Sequence, residues 1–230
     1  MPDMIVTQKL SKTFNKDKVN EVDAVRGVDM NIKKGEVIVL KGPSGSGKTT
    51  LMAVLGCMAK PTSGEVIILG NRVSKWTEKF LTLFRRQHIG FIFQNFNLIS
   101  GLTAAQNIII PMIPSGPDIS GLNRRTMEIA ESLNISHRLN FKIDTLSGGE
   151  AQRVAIARAL ITDPEIIMAD EPTAHLDTKL SGQIMDIFRD LKKQGKTQII
   201  ATHDPLVYES DLIDRIICMR DGYLVEEENE

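Results

Sequence analysis

Val37-Ile38-Val39-Leu40, then Gly42-Pro43-Ser44-Gly45-Ser46-Gly47-Lys48-Thr49-Thr50, then Leu51-Met52-Ala53-Val54-Leu55 is the stretch that decides the fold. A short apolar run leads into a glycine-rich turn, and the turn opens into a helix-compatible segment. In that context the pattern G-x-x-x-x-G-K-[ST] is a phosphate cradle. Gly42, Gly45 and Gly47 let the backbone fold tightly, so that successive N–H groups point at phosphate oxygens. The new helix adds its positive dipole end. Lys48 supplies a mobile charge for β- and γ-phosphates, and the Thr49 hydroxyl is the expected Mg²⁺ ligand. The alternative, a glycine-rich turn matching by chance, is disfavoured by the strand before it and the helix after it. The motif says nucleoside triphosphate and no more. Kinases, GTPases, helicases and transport ATPases all carry it.

Composition narrows the classes. The chain has 230 residues, enough for one large domain or two lobes around a real core. Its 28 Lys and Arg nearly balance 29 Asp and Glu, which gives no global drive toward nucleic acid. The acidic run Glu226–Glu230 reads as a solvated tail. Cys57 and Cys218 sit among apolar residues without metal-ligand spacing and read as reduced core cysteines of a cytosolic protein. No signal peptide is expected ahead of Met4-Ile5-Val6. The longest apolar stretch, Ile108 to Ile113, is too short to span a bilayer, so action at a membrane requires another chain to supply the spanning helices.

Along the chain, Met4 to Leu10 reads as a strand, followed by Phe14 and a polar stretch. Ala24 to Ile32 alternates as a half-buried strand, and Gly64 to Asn71 as a strand with a turn at its end. Lys75 to Arg86 reads as a helix with Trp76, Phe80, Leu83 and Phe84 along an inward stripe. Ile89 to Phe93 is a short strand ended by Gln94. Asn95 to Pro117 reads as loop. Leu122 to Leu133 is an amphipathic helix with Ser120 or a neighbour as its cap. Leu146-Ser147-Gly148-Gly149-Glu150 opens another helix, a second helix start with free N–H groups and a positive dipole end; alone it reads as a plain serine cap.

Glu165 to Ala169 is a continuous apolar run, as for a strand buried on both faces, and it ends in Asp170-Glu171. Two carboxylates there lie at the ligand edge of a parallel sheet. Beside a phosphate cradle the first suits Mg²⁺ and the second suits a base for attacking water. Leu180 to Gln194 is a helix stopped by Gly195. Gln198 to Thr202 is a buried strand ending at His203, on the same edge as Lys48, Gln94 and Glu171, which favours a catalytic histidine over a structural one. Asp221-Gly222 marks a hairpin between Asp214–Met219 and Tyr223–Val225. No internal repeat is visible.

The order of these features is specific. A phosphate cradle is followed by a strand-end Gln, a Ser-Gly-Gly helix start, an Asp-Glu strand end and a strand-end His. Across essentially the whole chain this resembles the nucleotide-binding subunit of an ABC transporter. The resemblance implies an α/β P-loop NTPase with a RecA-like parallel-sheet core, an antiparallel β subdomain and an inserted helical lobe. A single domain, 1–230, would divide into 1–75, 76–145 (mainly helical) and 146–230. It implies ATP and Mg²⁺ as ligands and ATP hydrolysis as the activity.

Residue by residue, Gly42 to Thr50 corresponds to the Walker A loop. Gln94 is the residue linking Mg²⁺ to the transport subunit, and Leu146 to Glu150 the signature motif. Ile166 to Asp170 is Walker B, with Thr49, Gln94 and Asp170 toward the metal. Glu171 is the catalytic carboxylate, Asp177 belongs to the D-loop, His203 contacts the γ-phosphate, and Phe14 stacks on adenine. Three positions depart from the usual pattern: Glu150 stands for Gln, Phe14 for Tyr, and His175 for a small residue or Asn, where its imidazole would alter a dimer interface. In the family two protomers pack head to tail, so Ser147, Gly148 and Gly149 of one chain cap ATP held by Lys48 of the other.

Arg85 to Ile99 with Leu102-Thr103-Ala104 is similar to the subfamily serving lipoprotein release, macrolide export and antimicrobial-peptide resistance, whose relative is a cell-division ATPase. The implied partners are a second copy on ATP binding and an integral membrane permease, with no nucleic acid. The implied location is the cytoplasmic face of the cell membrane, with contact through the partner only. The patch around Phe96, Leu98 and Ile99 is a candidate docking groove or ordinary core. Mechanical or regulatory signalling through a membrane partner is the alternative to transport. A nucleic-acid ABC protein is disfavoured by the lack of heptads and of a second cassette.

Overall fold

The computed structural model describes residues 3–116, 118–174 and 176–225. Its centre is a set of short apolar strands buried on both faces: β3 (Val37–Lys41), β7 (Ile166–Asp170) and β8 (Thr197–Ala201). With β6 (Ile89–Ile92), β9 (Arg215–Arg220) and β10 (Tyr223–Val225) they form a six-stranded sheet in the order β10-β9-β3-β8-β7-β6. The pairings from β9 to β6 are parallel, and β10 joins β9 antiparallel through the expected Asp221-Gly222 hairpin. Both turn residues have positive φ (50° and 84°), as a two-residue hairpin of this hand requires.

A second sheet is antiparallel, in the order β2-β1-β4-β5. It holds β1 (Asp3–Phe14), β2 (Val22–Lys33), β4 (Ser63–Ile68) and β5 (Asn71–Arg72). The first two strands run longer than their sequence signal, because edge pairing extends past the apolar residues.

The alternation of strand side chains separates two cores. Ile38, Leu40, Met168, Ile199 and Ala201 face the antiparallel sheet, α1 (Lys48–Leu55) and α2 (Glu78–His88). Val37, Val39, Ile167, Ala169 and Ile200 face the opposite side. There they meet α3 (Ala104–Ile109), α4 (Ile119–Ser132), α5 (Gly148–Leu160) and α6 (Thr178–Lys193). A short α7 (Pro205–Tyr208) precedes β9.

Several expectations change. Phe80 and Leu83 are exposed, at 58 % and 48 %, so the inward face of α2 is Leu81 and Phe84 instead. Trp76 lies outside the helix and meets Phe84 edge-on at 5.4 Å. The stretch taken as loop after Asn95 contains α3, started by a Thr103–Gln106 capping box, and a 3₁₀ turn over Ile110–Ser115. Asp118, beside Ser120, caps α4 by accepting from the Gly121 N–H. Among its described residues the 76–145 segment holds α2, α3 and α4 and also β6, a strand of the larger sheet. Leu98 packs on the second core while Ile99 is half exposed, so Leu98 follows the core reading. Cys57 is buried and Cys218 half-buried. His175 and the acidic run 226–230 lie outside the described residues.

Candidate nucleotide site

Parallel register brings the candidate residues to one edge. Leu40 and Asp170 both align with Ala201, and Ala169 aligns with Ile92. Gly42, Gln94, Glu171 and His203 therefore follow their strands by one or two residues at a common C-terminal edge, where open parallel sheets bind ligands.

At that edge lies a cleft of about 730 Å³, lined by Phe14, Pro43 through Thr50, Gln94, Asp170, Glu171 and His203 among others. Gly47, at φ 104° before Lys48, has its Cα against the Ala24 carbonyl, and a Cβ there would collide with it. The Lys48 ammonium donates to the carbonyls of Gly42 (2.7 Å) and Pro43 (3.0 Å), which holds the cation over the cradle. The buried Ser46 hydroxyl has no protein partner.

The Thr49 hydroxyl donates to the Asp170 carboxylate at 3.0 Å. Burial raises the pKa of Asp170, with the Glu171 charge adding to the rise and the Thr49 hydrogen bond and Lys48 opposing it. A hydroxyl and a carboxylate at this spacing, with the Gln94 amide on the same lining, form the hard oxygen set that Mg²⁺ takes when phosphate supplies further ligands.

Glu171 has a left-handed backbone (φ 48°), costly for a residue other than glycine. Its side chain is held twice. Thr202 donates to Oε2 at 2.9 Å, and His203 Nδ1 lies 2.7 Å from Oε1. Thr202 in turn accepts from the Asp204 N–H, and Asp204 accepts from Thr173. The carboxylate is thus fixed at the cleft by its backbone and by Thr202 and His203.

The second helix start is built differently. Ser147 caps α5, and Glu150 accepts both its N–H and its hydroxyl while pairing with Arg138 at 2.6 Å. The Ser147 hydrogen bonds, first, and Arg138 hold the Glu150 carboxyl below its ordinary range against some burial. Asp177 caps α6 through the Leu180 N–H. Ser147, Gly148, Gly149, Glu150 and Asp177 lie outside the lining of the cleft that holds Lys48.

The cleft also takes residues that motif reading passes over: Val22, Asp23, Ala24, Arg26, Asp221 and Gly222. Val22 pairs with Phe14 across the hairpin, and Gly222 donates to the Ser46 carbonyl. Arg26 lies over the Tyr223 ring at 5.4 Å. The Asp221-Gly222 turn was visible in the sequence, but not its contact with a loop near the other end of the chain.

A parallel sheet with a glycine-rich cradle feeding a helix, and Thr49 joined to a strand-end aspartate, define a P-loop NTPase. Comparison with known proteins narrows the class. The model of the ABC transporter family matches residues 25–174. An uncharacterized ABC transporter ATP-binding protein of Thermotoga maritima is 45 % identical, over 88 % of this chain and 86 % of its own. The macrolide export ATP-binding/permease protein MacB of Salmonella typhimurium is 43 % identical over 89 % of this chain, which spans 31 % of that protein. Among solved structures, a dimeric post-hydrolysis state of the ATP-binding cassette MJ0796, bound to ADP and Pi, superposes with a TM-score of 0.90. It is 40 % identical, with 98 % of both chains covered. The chain belongs to the ABC transporter family as an ATP-binding cassette, an ATP hydrolase.

Proposed function

We propose that this cassette binds ATP with Mg²⁺, pairs head to tail with a second copy, and drives a membrane-embedded partner of the export or lipoprotein-release type. The observation that carries this reading is the division of the anion-binding parts. The cleft is lined by the cradle, Gln94, Asp170, Glu171 and His203, while the Ser147 helix start and Asp177 lie outside it. A second copy, turned head to tail, supplies them. The dimer described for MJ0796 supports this arrangement.

In the proposed roles, Phe14 stacks on adenine opposite Val22. The amides from Ser44 to Thr50 and the Lys48 ammonium take the phosphates. Thr49, Asp170 and Gln94 hold Mg²⁺, which when bound neutralises phosphate charge. Glu171 orients a water and accepts its proton as the water oxygen attacks the γ-phosphorus and the bond to the bridging oxygen breaks. His203, tied to Glu171, contacts the γ-phosphate. Catalysis of this kind is positioning and charge stabilisation. The proposed subdivision is 1–75, 76–145 and 146–230, with β6 lent by the middle segment to the core.

Among the described residues no helix is long and apolar enough to cross a membrane. We place the cassette at the cytoplasmic face, held there by its partner. The docking site in this reading is a groove of about 340 Å³ beside Gln94, lined by Phe91, Phe93, Ile110, Pro111 and Pro114 with Arg85 and Arg86 at its rim. It suits a short amphipathic helix. Membership of the family alongside the fused permease of MacB supports an export role.

The test is affinity purification of Glu171→Gln protein with ATP and Mg²⁺ from detergent-solubilised membranes of its host. A polytopic membrane protein in stoichiometric amount is expected, and Ile110→Glu should remove it without changing melting temperature or ATP affinity. Recovery of the homodimer alone would contradict membrane coupling and leave the nucleotide chemistry standing.

A further inference from the structure

Phe96 and Asn97, just past Gln94, carry consecutive left-handed backbones, with φ of 57° and 48°. Neither is glycine. Such a backbone is costly and persists only where its surroundings hold it. The holding group is a side chain that lines the proposed docking groove. Arg158, on the last turn of α5, donates from its two terminal nitrogens to the carbonyls of Phe96 (2.6 Å) and Asn97. A planar fork bridging two successive carbonyls fixes both peptide planes with a rigid geometry that a lysine's point charge on a flexible stem does not reproduce. Burial lowers the Arg158 pKa, and Arg158 also lines the groove with Phe93 and Pro111. Asn107, fully buried, fastens the far end of the same loop by exchanging hydrogen bonds with Ile99.

We propose that Arg158 is a positioning residue for ATP hydrolysis. It clamps the strained 96–97 backbone so that the Gln94 side chain is presented to the metal and phosphates, and it joins that loop to the helix that Ser147 begins. The inference rests on the role given above to Gln94. A partner seated in the groove meets Arg158 itself, so the clamp is where docking reaches the nucleotide.

The test compares Arg158→Ala, Arg158→Lys, Gln94→Ala and the Arg158→Ala/Gln94→Ala double variant of the full chain. ATPase rates are measured against ATP and against Mg²⁺, with melting temperatures recorded for each. Arg158→Ala should lower kcat at least tenfold, keep KM for ATP within about twofold and raise the Mg²⁺ needed for half-maximal rate. Arg158→Lys should recover little. The double variant should be no worse than Gln94→Ala. Independent, multiplying losses in the double variant, or an unchanged kcat in Arg158→Ala, would overturn the proposal. If Gln94→Ala alone keeps the wild-type kcat, the role of Gln94 fails instead. Hydrogen exchange then decides the clamp: faster exchange over 95–99 in Arg158→Ala supports it, and unchanged exchange removes it. Should Arg158→Ala fail to fold, Arg158→Gln, which keeps one donor group, takes its place in the same comparison.

Discussion

Phe14 shows how one side chain prepares a surface for a ligand. Its ring is 43 % exposed, the Lys12 ammonium lies 5.1 Å from its centre, and Val22 stands beside it across the hairpin. An exposed aromatic at a cleft mouth offers a face for a base, and such stacking is worth about 1–3 kcal/mol per base by alanine substitution. Phe14→Ala should therefore raise the ATP dissociation constant about tenfold, read by calorimetric titration, and Phe14→Tyr should leave it near wild type. An unchanged constant in Phe14→Ala would remove the stacking role. The candidate site residues stand out in the sequence because each ends an apolar run or opens a helix, and such punctuation is local. Val22, Arg26 and Asp221 were not, because they reach the cleft only when the antiparallel sheet and the last hairpin fold over the cradle.

At the scale of elements, the buried parallel strands were readable for a physical reason. A strand covered on both faces has no polar side to interrupt its apolar run, as Ile166 to Asp170 and Thr197 to Ala201 illustrate. Helix α3, inside the stretch read as loop, escaped because six residues are too few to show a helical period. Its signal was the Thr103–Gln106 box, a start sign that stands before few apolar residues. The aromatic stripe held at Phe84, which is buried, and at Trp76, which packs on the first core, and failed at Phe80 and Leu83, which are exposed while Leu81 takes the inward place.

The segment beside α3 gives a pH prediction. Asp144 accepts from the Ser100 hydroxyl (2.7 Å) and the Gly101 N–H (2.9 Å), and these bonds, Ser100 first, hold its pKa below the ordinary aspartate value. A depressed folded pKa adds stability above the unfolded value of about 3.9, and that stability is lost as pH falls through the folded value. Asp144→Asn should melt below wild type at pH 7, and the gap should narrow as pH is lowered from 5 toward 3. A gap independent of pH would contradict the charge-assisted contact.

For the whole molecule, two sheets meet around α1, and the parallel sheet gathers the ends of four strands into one cleft. The general architecture follows from the alternation of apolar runs and helices. The way the two sheets share a core does not, since it rests on pairings such as β1 with β4, whose partners are far apart in the chain. The division of anion-binding parts also exists only at this scale. The Ser147 helix start lies outside the cleft, and in the proposed function a second copy brings the two together. The most direct test is light scattering on Glu171→Gln protein eluting from a sizing column, with and without ATP and Mg²⁺, alongside its hydrolysis rate. The account expects hydrolysis to fall by about 10²–10⁴-fold, as for loss of a general base, with a dimer in ATP and a monomer without it. Hydrolysis at the wild-type rate, or a monomer at saturating ATP, would contradict it.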